Sequence, residues 1–144
     1  MNEQLLLAID RFQKTYYLLQ ASVEKTVDFD VNKAYTADEL EPYDAMSDRF
    51  IRMVELAIKF FRTYEYYMEA EQSQTLRDGL HQMEKWHIIS NSDIWLDMRD
   101  IRNKIVHDYV PEQVAEMYAL IKNEFFNEFR VVEKKIKQLK QNQA

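Results

Sequence analysis

The sequence predicts an all-α protein, an up-and-down bundle of about five helices built around a four-helix core. Two observations carry that expectation. The 144 residues include one glycine and two prolines, too few for the positive-φ turns and sharp reversals of hairpin-rich β folds. Apolar residues recur at intervals of three and four along most of the chain, which is the period of a helix face. With 47% hydrophobic and 13% aromatic residues, the chain has enough material for its own core. A single domain over residues 1–144 is expected.

The first helix runs from about Glu3 to Thr26, with Leu5, Leu6, Ile9, Phe12, Tyr16, Leu19 and Val23 as its stripe. "VDFDVNKAYTADELEPYDA" then loses the period, and its charge and Pro42 mark a flexible linker over about residues 28–43. The second helix starts between Tyr43 and Asp48 and reaches about Glu71. Phe50, Val54, Ala57, Ile58, Phe61, Tyr64 and Met68 line it, and Ile51, Phe60, Tyr66 and Tyr67 widen the stripe. A helix apolar on more than one side is central in a bundle or part of a subunit interface.

A shorter third helix spans roughly Thr75 to Trp86. Gly79 inside it marks close helix approach or a kink, because a mid-helix glycine costs about 1 kcal/mol against alanine. Ser90 and Asp93 have the spacing of a capping box for a fourth helix, about Ser92 to His107. Pro111 suits the first turn of a fifth, where its missing N–H leaves no orphan donor. That helix extends from Glu112 to about Lys140 on Val114, Met117, Tyr118, Ile121, Phe125, Phe129, Val132, Ile136 and Leu139. The tail, about residues 140–144, is expected to fray.

Composition also excludes chemistry. The absence of cysteine rules out disulfides, thiolate metal sites and cysteine nucleophiles, and fits a reducing cytoplasm. The N-terminal stretch lacks a basic n-region, and no apolar run approaches the roughly 18 residues of a spanning helix, so no membrane partner is expected. A formal net charge of −6 gives no global field for nucleic acid. DNA is not an expected partner, and any RNA contact must rely on a local basic patch.

One stretch, "RDIRNKIVHDYV", concentrates the polar chemistry. Its charges balance, Arg99, Arg102 and Lys104 against Asp97, Asp100 and Asp108, as on an ordinary solvated helix face. Helical geometry adds something more. Asn103 and His107 are i and i+4 neighbours, and Arg102 lies about 140° from His107, so both border one groove without touching. Ile101, Ile105, Met98 and Trp95 supply the buried face that holds this edge rigid.

"RNKIVHDY" resembles the Arg–Asn–(three)–His–x–Tyr signature of HEPN-domain proteins. "IWLDMRDIRN" is similar to the tryptophan-containing run of the related nucleotidyltransferase substrate-binding subunits, and "SDRFIRMVELAIKFFRTY" to their long second helix. The resemblance covers about Asp48 to Phe129. It implies the toxin of a toxin–antitoxin pair: a metal-independent endoribonuclease that needs no cofactor and acts as a homodimer. Arg102 and His107 would be the catalytic pair, with Asn103 supporting phosphate. It further implies a minimal nucleotidyltransferase antitoxin as partner, which transfers AMP to Tyr109. Histidine's ordinary pKa near ~6.5 and arginine's fixed fork of donors match that chemistry. The same resemblance leaves open a non-catalytic subunit that binds substrate for, or regulates, a separate nucleotidyltransferase. A plain helical dimerisation module is the third reading.

His81 and His87 flank Trp86 without a metal-ligand set around them and are expected on the helix surface or partly buried. "FFRTYEYYM" is expected to serve core and dimer packing in preference to base stacking.

Overall fold

A computed structural model describes residues 1–107 and 113–142, and every regular element among them is helical. In chain order these are α1 (Glu3–Lys25), α2 (Ala37–Glu69), α3 (Leu76–Lys85), α4 (Ser92–His107) and α5 (Val114–Leu120). A π-helical turn (Ile121–Phe125) then leads directly into α6 (Phe126–Gln141). No helix among the described residues is long and apolar enough to cross a membrane.

The Asn2 side chain caps α1 by accepting the Leu5 N–H at 2.8 Å. Leu5, Ile9, Phe12, Tyr16 and Leu19 are buried as their spacing requires. Leu6, expected in the stripe, is 45% exposed, since it sits about 100° round the helix from Leu5.

The linker is shorter than the expected 28–43. A capping box starts α2 at Ala37: Thr36 Oγ1 accepts the Glu39 N–H at 3.2 Å, and Glu39 Oε1 accepts the Thr36 N–H at 3.1 Å. Pro42 therefore lies in the second turn of the helix, on its exposed side, where it removes one backbone donor from the helix. What remains of the connection is packed. Phe29 stacks on Tyr35 at 4.6 Å and meets Tyr43 edge-on at 5.2 Å. The buried Tyr43 hydroxyl donates to the Val27 carbonyl at 2.8 Å. Burial first, then the neighbouring Tyr35, pushes the Tyr43 phenol up to about 12.

α3 is capped by Thr75, and it closes on a backbone pattern that composition does not announce. His87 has φ 59. Its N–H donates to the Glu84 carbonyl at 3.0 Å and that of Ile88 to Met83 at 2.9 Å. This pair of bonds is a Schellman closure with histidine in the place usually taken by glycine. Gly79, by contrast, answers no steric need. A Cβ added there would meet Ser73 Cβ at 3.9 Å, an ordinary contact.

The predicted fifth helix is resolved into α5, the π turn and α6. The wider π turn inserts one residue, so Ile121, Phe125, Phe126 and Phe129 all reach the core. Asn123 donates its side-chain amide to the Ala119 carbonyl at 2.9 Å inside this irregular segment. The core is rich in rings. Phe50 stacks on Phe125 at 5.5 Å, and Phe12 meets Phe60 at 6.0 Å.

Candidate functional site

The helix carrying the motif is fastened most firmly at its N-terminal end. Trp95 is wedged edge-on between Phe61 of α2 at 4.8 Å and Phe129 of α6 at 5.5 Å. Its indole N–H donates to Glu128 Oε2 at 2.8 Å, and the Ser90 backbone N–H reaches the same oxygen at 2.9 Å. Glu128 is only 4% exposed, and a carboxylate buried that deeply needs such donors. On the other side, Glu84 of α3 accepts both the Ser92 N–H at 2.7 Å and the Ser92 hydroxyl at 3.2 Å. The expected Ser90–Asp93 capping box does not form. Ser90 is engaged by Glu128, and Asn91 Oδ1 caps α4 by accepting the Ile94 N–H at 3.0 Å.

Sequence reasoning passed over Glu128. The available signal was a carboxylate in a core slot of the stripe, between Phe125 and Val132. Glu133 is a second such case: it is buried and accepts hydrogen bonds from Gln13 at 3.3 Å and Tyr17 at 3.2 Å, tying α6 to α1.

Beyond Met98, which is fully buried, α4 leaves the core. Ile101 and Ile105 are half-buried, Val106 is 52% exposed, and His107 is exposed. Arg102 projects towards α2, where Nη1 lies 3.4 Å from Glu55 Oε1. That is long for a charge-assisted bond, which is usually about 2.7–2.9 Å. Arg102 Nε is buried with no hydrogen-bond partner among the described residues. The guanidinium is thus loosely tethered by one long contact to Glu55. Asn103 is half-buried, and no side-chain hydrogen bond or ion pair joins Asn103 or His107 to another described residue. No hydrogen bond links Arg102 to His107, as expected for side chains about 140° apart on one helix. Tyr109 and Pro111 lie outside the described residues.

Two grooves flank the C-terminal half of α4. One, of about 330 Å³, runs between α2, α4 and α5 and is lined by Asp44, Asp48, Ile51 and Ile105 among others. The second, of about 170 Å³, has Asp97, Asp100, Lys104 and Glu124 at its edges. Neither includes Arg102, Asn103 or His107, and the carboxylates make both poor hosts for phosphate. Among the described residues no three His, Asp or Glu side chains are placed to hold a metal ion. His81 and His87 are both exposed on or beside α3. In "FFRTYEYYM", Phe60, Phe61 and Tyr64 enter the core while Tyr66, Tyr67 and Met68 face outward. Burial raises the Tyr64 phenol above its ordinary value, with a smaller contribution from Tyr67.

The chain is a helical bundle with an Arg–Asn–(three)–His edge on a tryptophan-anchored helix. The chain belongs to the family described as nucleotidyltransferase substrate binding protein like, whose pattern it matches over residues 7–138. Among solved structures it is similar to the tri-AMPylated HEPN toxin of Shewanella oneidensis in complex with its MNT antitoxin. Identity is 18% and the TM-score 0.70, over 96% of this chain and 99% of that one. It is also similar to a chain from a mutant MntA–HpeT toxin–antitoxin complex, at 17% identity and TM-score 0.70, over 95% and 99% of the two chains. At these identities the likeness is one of fold. No curated protein matches the sequence.

Proposed function

We propose that this chain is the HEPN toxin of a toxin–antitoxin pair. In this reading it is a metal-independent endoribonuclease that works as a homodimer and is neutralised by a cognate minimal nucleotidyltransferase acting on Tyr109. One observation carries the proposal: Arg102, Asn103 and His107 occupy the half of α4 that leaves the core of a bundle with a HEPN toxin's fold. The half-buried Ile101 and Ile105 and the exposed Val106 beside them offer apolar surface for a second copy. A two-fold axis at this surface would bring Arg102 of one protomer towards His107 of its partner, a meeting that one helix cannot provide.

In that composite site the RNA 2′-oxygen attacks phosphorus as its proton passes to a base. The bond from phosphorus to the 5′-oxygen breaks, and the leaving oxygen takes a proton. His107 serves as acceptor or donor. Arg102 neutralises the phosphorane through donors that Glu55 holds only loosely. Asn103 orients His107 or donates to phosphate. An AMP group on Tyr109 would add bulk and negative charge next to this centre and exclude substrate.

Purified protein should cleave RNA in the presence of a chelator, and His107→Ala, with its helical spectrum retained, should abolish cleavage. Full activity in that variant would refute the assignment. Co-expression with a cognate minimal nucleotidyltransferase should add the mass of AMP at Tyr109; an unmodified tyrosine under active transferase counts against the switch.

The alternative is a non-catalytic subunit that binds substrate for, or regulates, a separate nucleotidyltransferase. The net charge of −6 and the acidic grooves beside α4 favour it. Stable capture of a nucleotidyltransferase together with no RNA cleavage would select that reading.

A further inference from the structure

One surface runs against the acidity of the chain. Between α1 and α2 lies a groove of about 390 Å³ whose walls carry Arg11, Lys59 and Arg62 and no carboxylate. Two other exposed cations of these helices are neutralised by a neighbour: Lys14 by Asp10 at 3.0 Å and Arg52 by Asp48 at 2.7 Å. Arg11, Lys59 and Arg62 have no ion-pair partner among the described residues. Leu7 and Leu56 add apolar surface to the same groove.

The groove is also aligned with the motif. Glu55, Lys59 and Arg62 stand at i, i+4 and i+7 on α2, within about 60° of one another around the helix. Glu55 is the residue that tethers Arg102. Lys59 and Arg62 therefore follow the Glu55–Arg102 contact within roughly 10 Å along α2, with Arg11 of α1 on the facing wall. A single small anion would engage one or two of these groups. An extended chain of phosphates engages them all, and its bases find the apolar wall.

We propose that the α1–α2 groove binds the phosphate backbone of a single RNA strand and leads it to Arg102. This deepens the ribonuclease reading and rests on it for the identity of the strand, but its test is separate. The three side chains are exposed, so the variant Arg11→Gln/Lys59→Gln/Arg62→Gln should keep its helical spectrum. Binding of a short, labelled single-stranded RNA is measured by fluorescence anisotropy with the full chain carrying His107→Ala, with and without the three glutamines.

Removing the cations should weaken binding at least tenfold at about 50 mM salt. It should also make the dependence of log Kd on log salt shallower by about 2, since each single-strand phosphate contact contributes about 0.7. Unchanged affinity and slope would overturn the proposal. So would AMP competing as well as RNA at equal phosphate concentration, which would make the groove a mononucleotide site. Groove-dependent binding without cleavage by the wild-type protein would sink the ribonuclease reading and leave this one standing. Cleavage with groove-independent binding would do the reverse.

Discussion

Removing the Glu128 carboxylate probes what holds α4, and therefore the motif, in place. Two donors converge on one of its oxygens, the Trp95 indole at 2.8 Å and the Ser90 backbone at 2.9 Å. Glu128→Ala strands both, and a buried donor left unsatisfied costs about 1–3 kcal/mol. The variant should lose about 3–5 kcal/mol, a large share of the roughly 5–15 kcal/mol that stabilises a typical domain. Glu128→Gln is the informative control. Because both donors meet the same oxygen, the amide oxygen can accept both, and only the charge assistance is lost, about 1–2 kcal/mol. Urea unfolding with linear extrapolation resolves the two. A double-mutant cycle with Trp95→Phe should return a coupling of about 1.5–3 kcal/mol. If Glu128→Ala falls within about 0.5 kcal/mol of wild type, or Glu128→Gln is as costly as alanine, the reasoning fails.

Three further outcomes follow from local geometry. Gly79→Ala should stabilise by about 1 kcal/mol, since the new methyl meets only Ser73 Cβ at 3.9 Å; a lower urea midpoint would show a close approach after all. His87→Gly should likewise gain about 1 kcal/mol by relieving the left-handed backbone at φ 59, and a loss would mean that the imidazole is doing more than occupying the turn. Tyr43 sets an alkaline limit: its folded pKa of about 12 exceeds the unfolded value near ~10, so the unfolded chain releases its proton first. Stability present below pH ~10 should fall by on the order of 2–3 kcal/mol as pH rises towards ~12. Unfolding curves at rising pH should show that drop in the wild type and a smaller one in Tyr43→Phe.

The helices were legible because their stripes are strong, and α4 starts at Ser92 as its spacing predicts. The start of α2 differs from the expected one because Pro42 reads as a breaker, whereas the Thr36–Glu39 capping box in "TADE" sets the helix start. Pro42 sits in the second turn on an exposed face, and the capping box and the buried Tyr43 hold the helix on either side of it. The spacing of Ser90 and Asp93 suggests a cap because spacing alone cannot reveal that Glu128, distant in sequence, claims the Ser90 N–H. The π turn was invisible for a similar reason: one inserted residue shifts the phase of a stripe that already reads as helical. At the candidate site, sequence indicated which residues share the helix edge and that Arg102 and His107 do not touch. It could not show that Glu55 tethers Arg102, nor that Arg11, Lys59 and Arg62 share a groove, because those contacts join different helices.

RNA cleavage in the presence of a chelator by wild type, Arg102→Ala and His107→Ala bears most directly on the central proposal, with helical content and dimer mass checked for each. The account predicts cleavage by wild type, loss of at least 100-fold in each variant, and partial recovery when the two inactive variants are mixed, because one intact pair can reassemble across the two-fold axis. Cleavage by the variants at the wild-type rate, or no cleavage by an unmodified wild-type dimer, would contradict it.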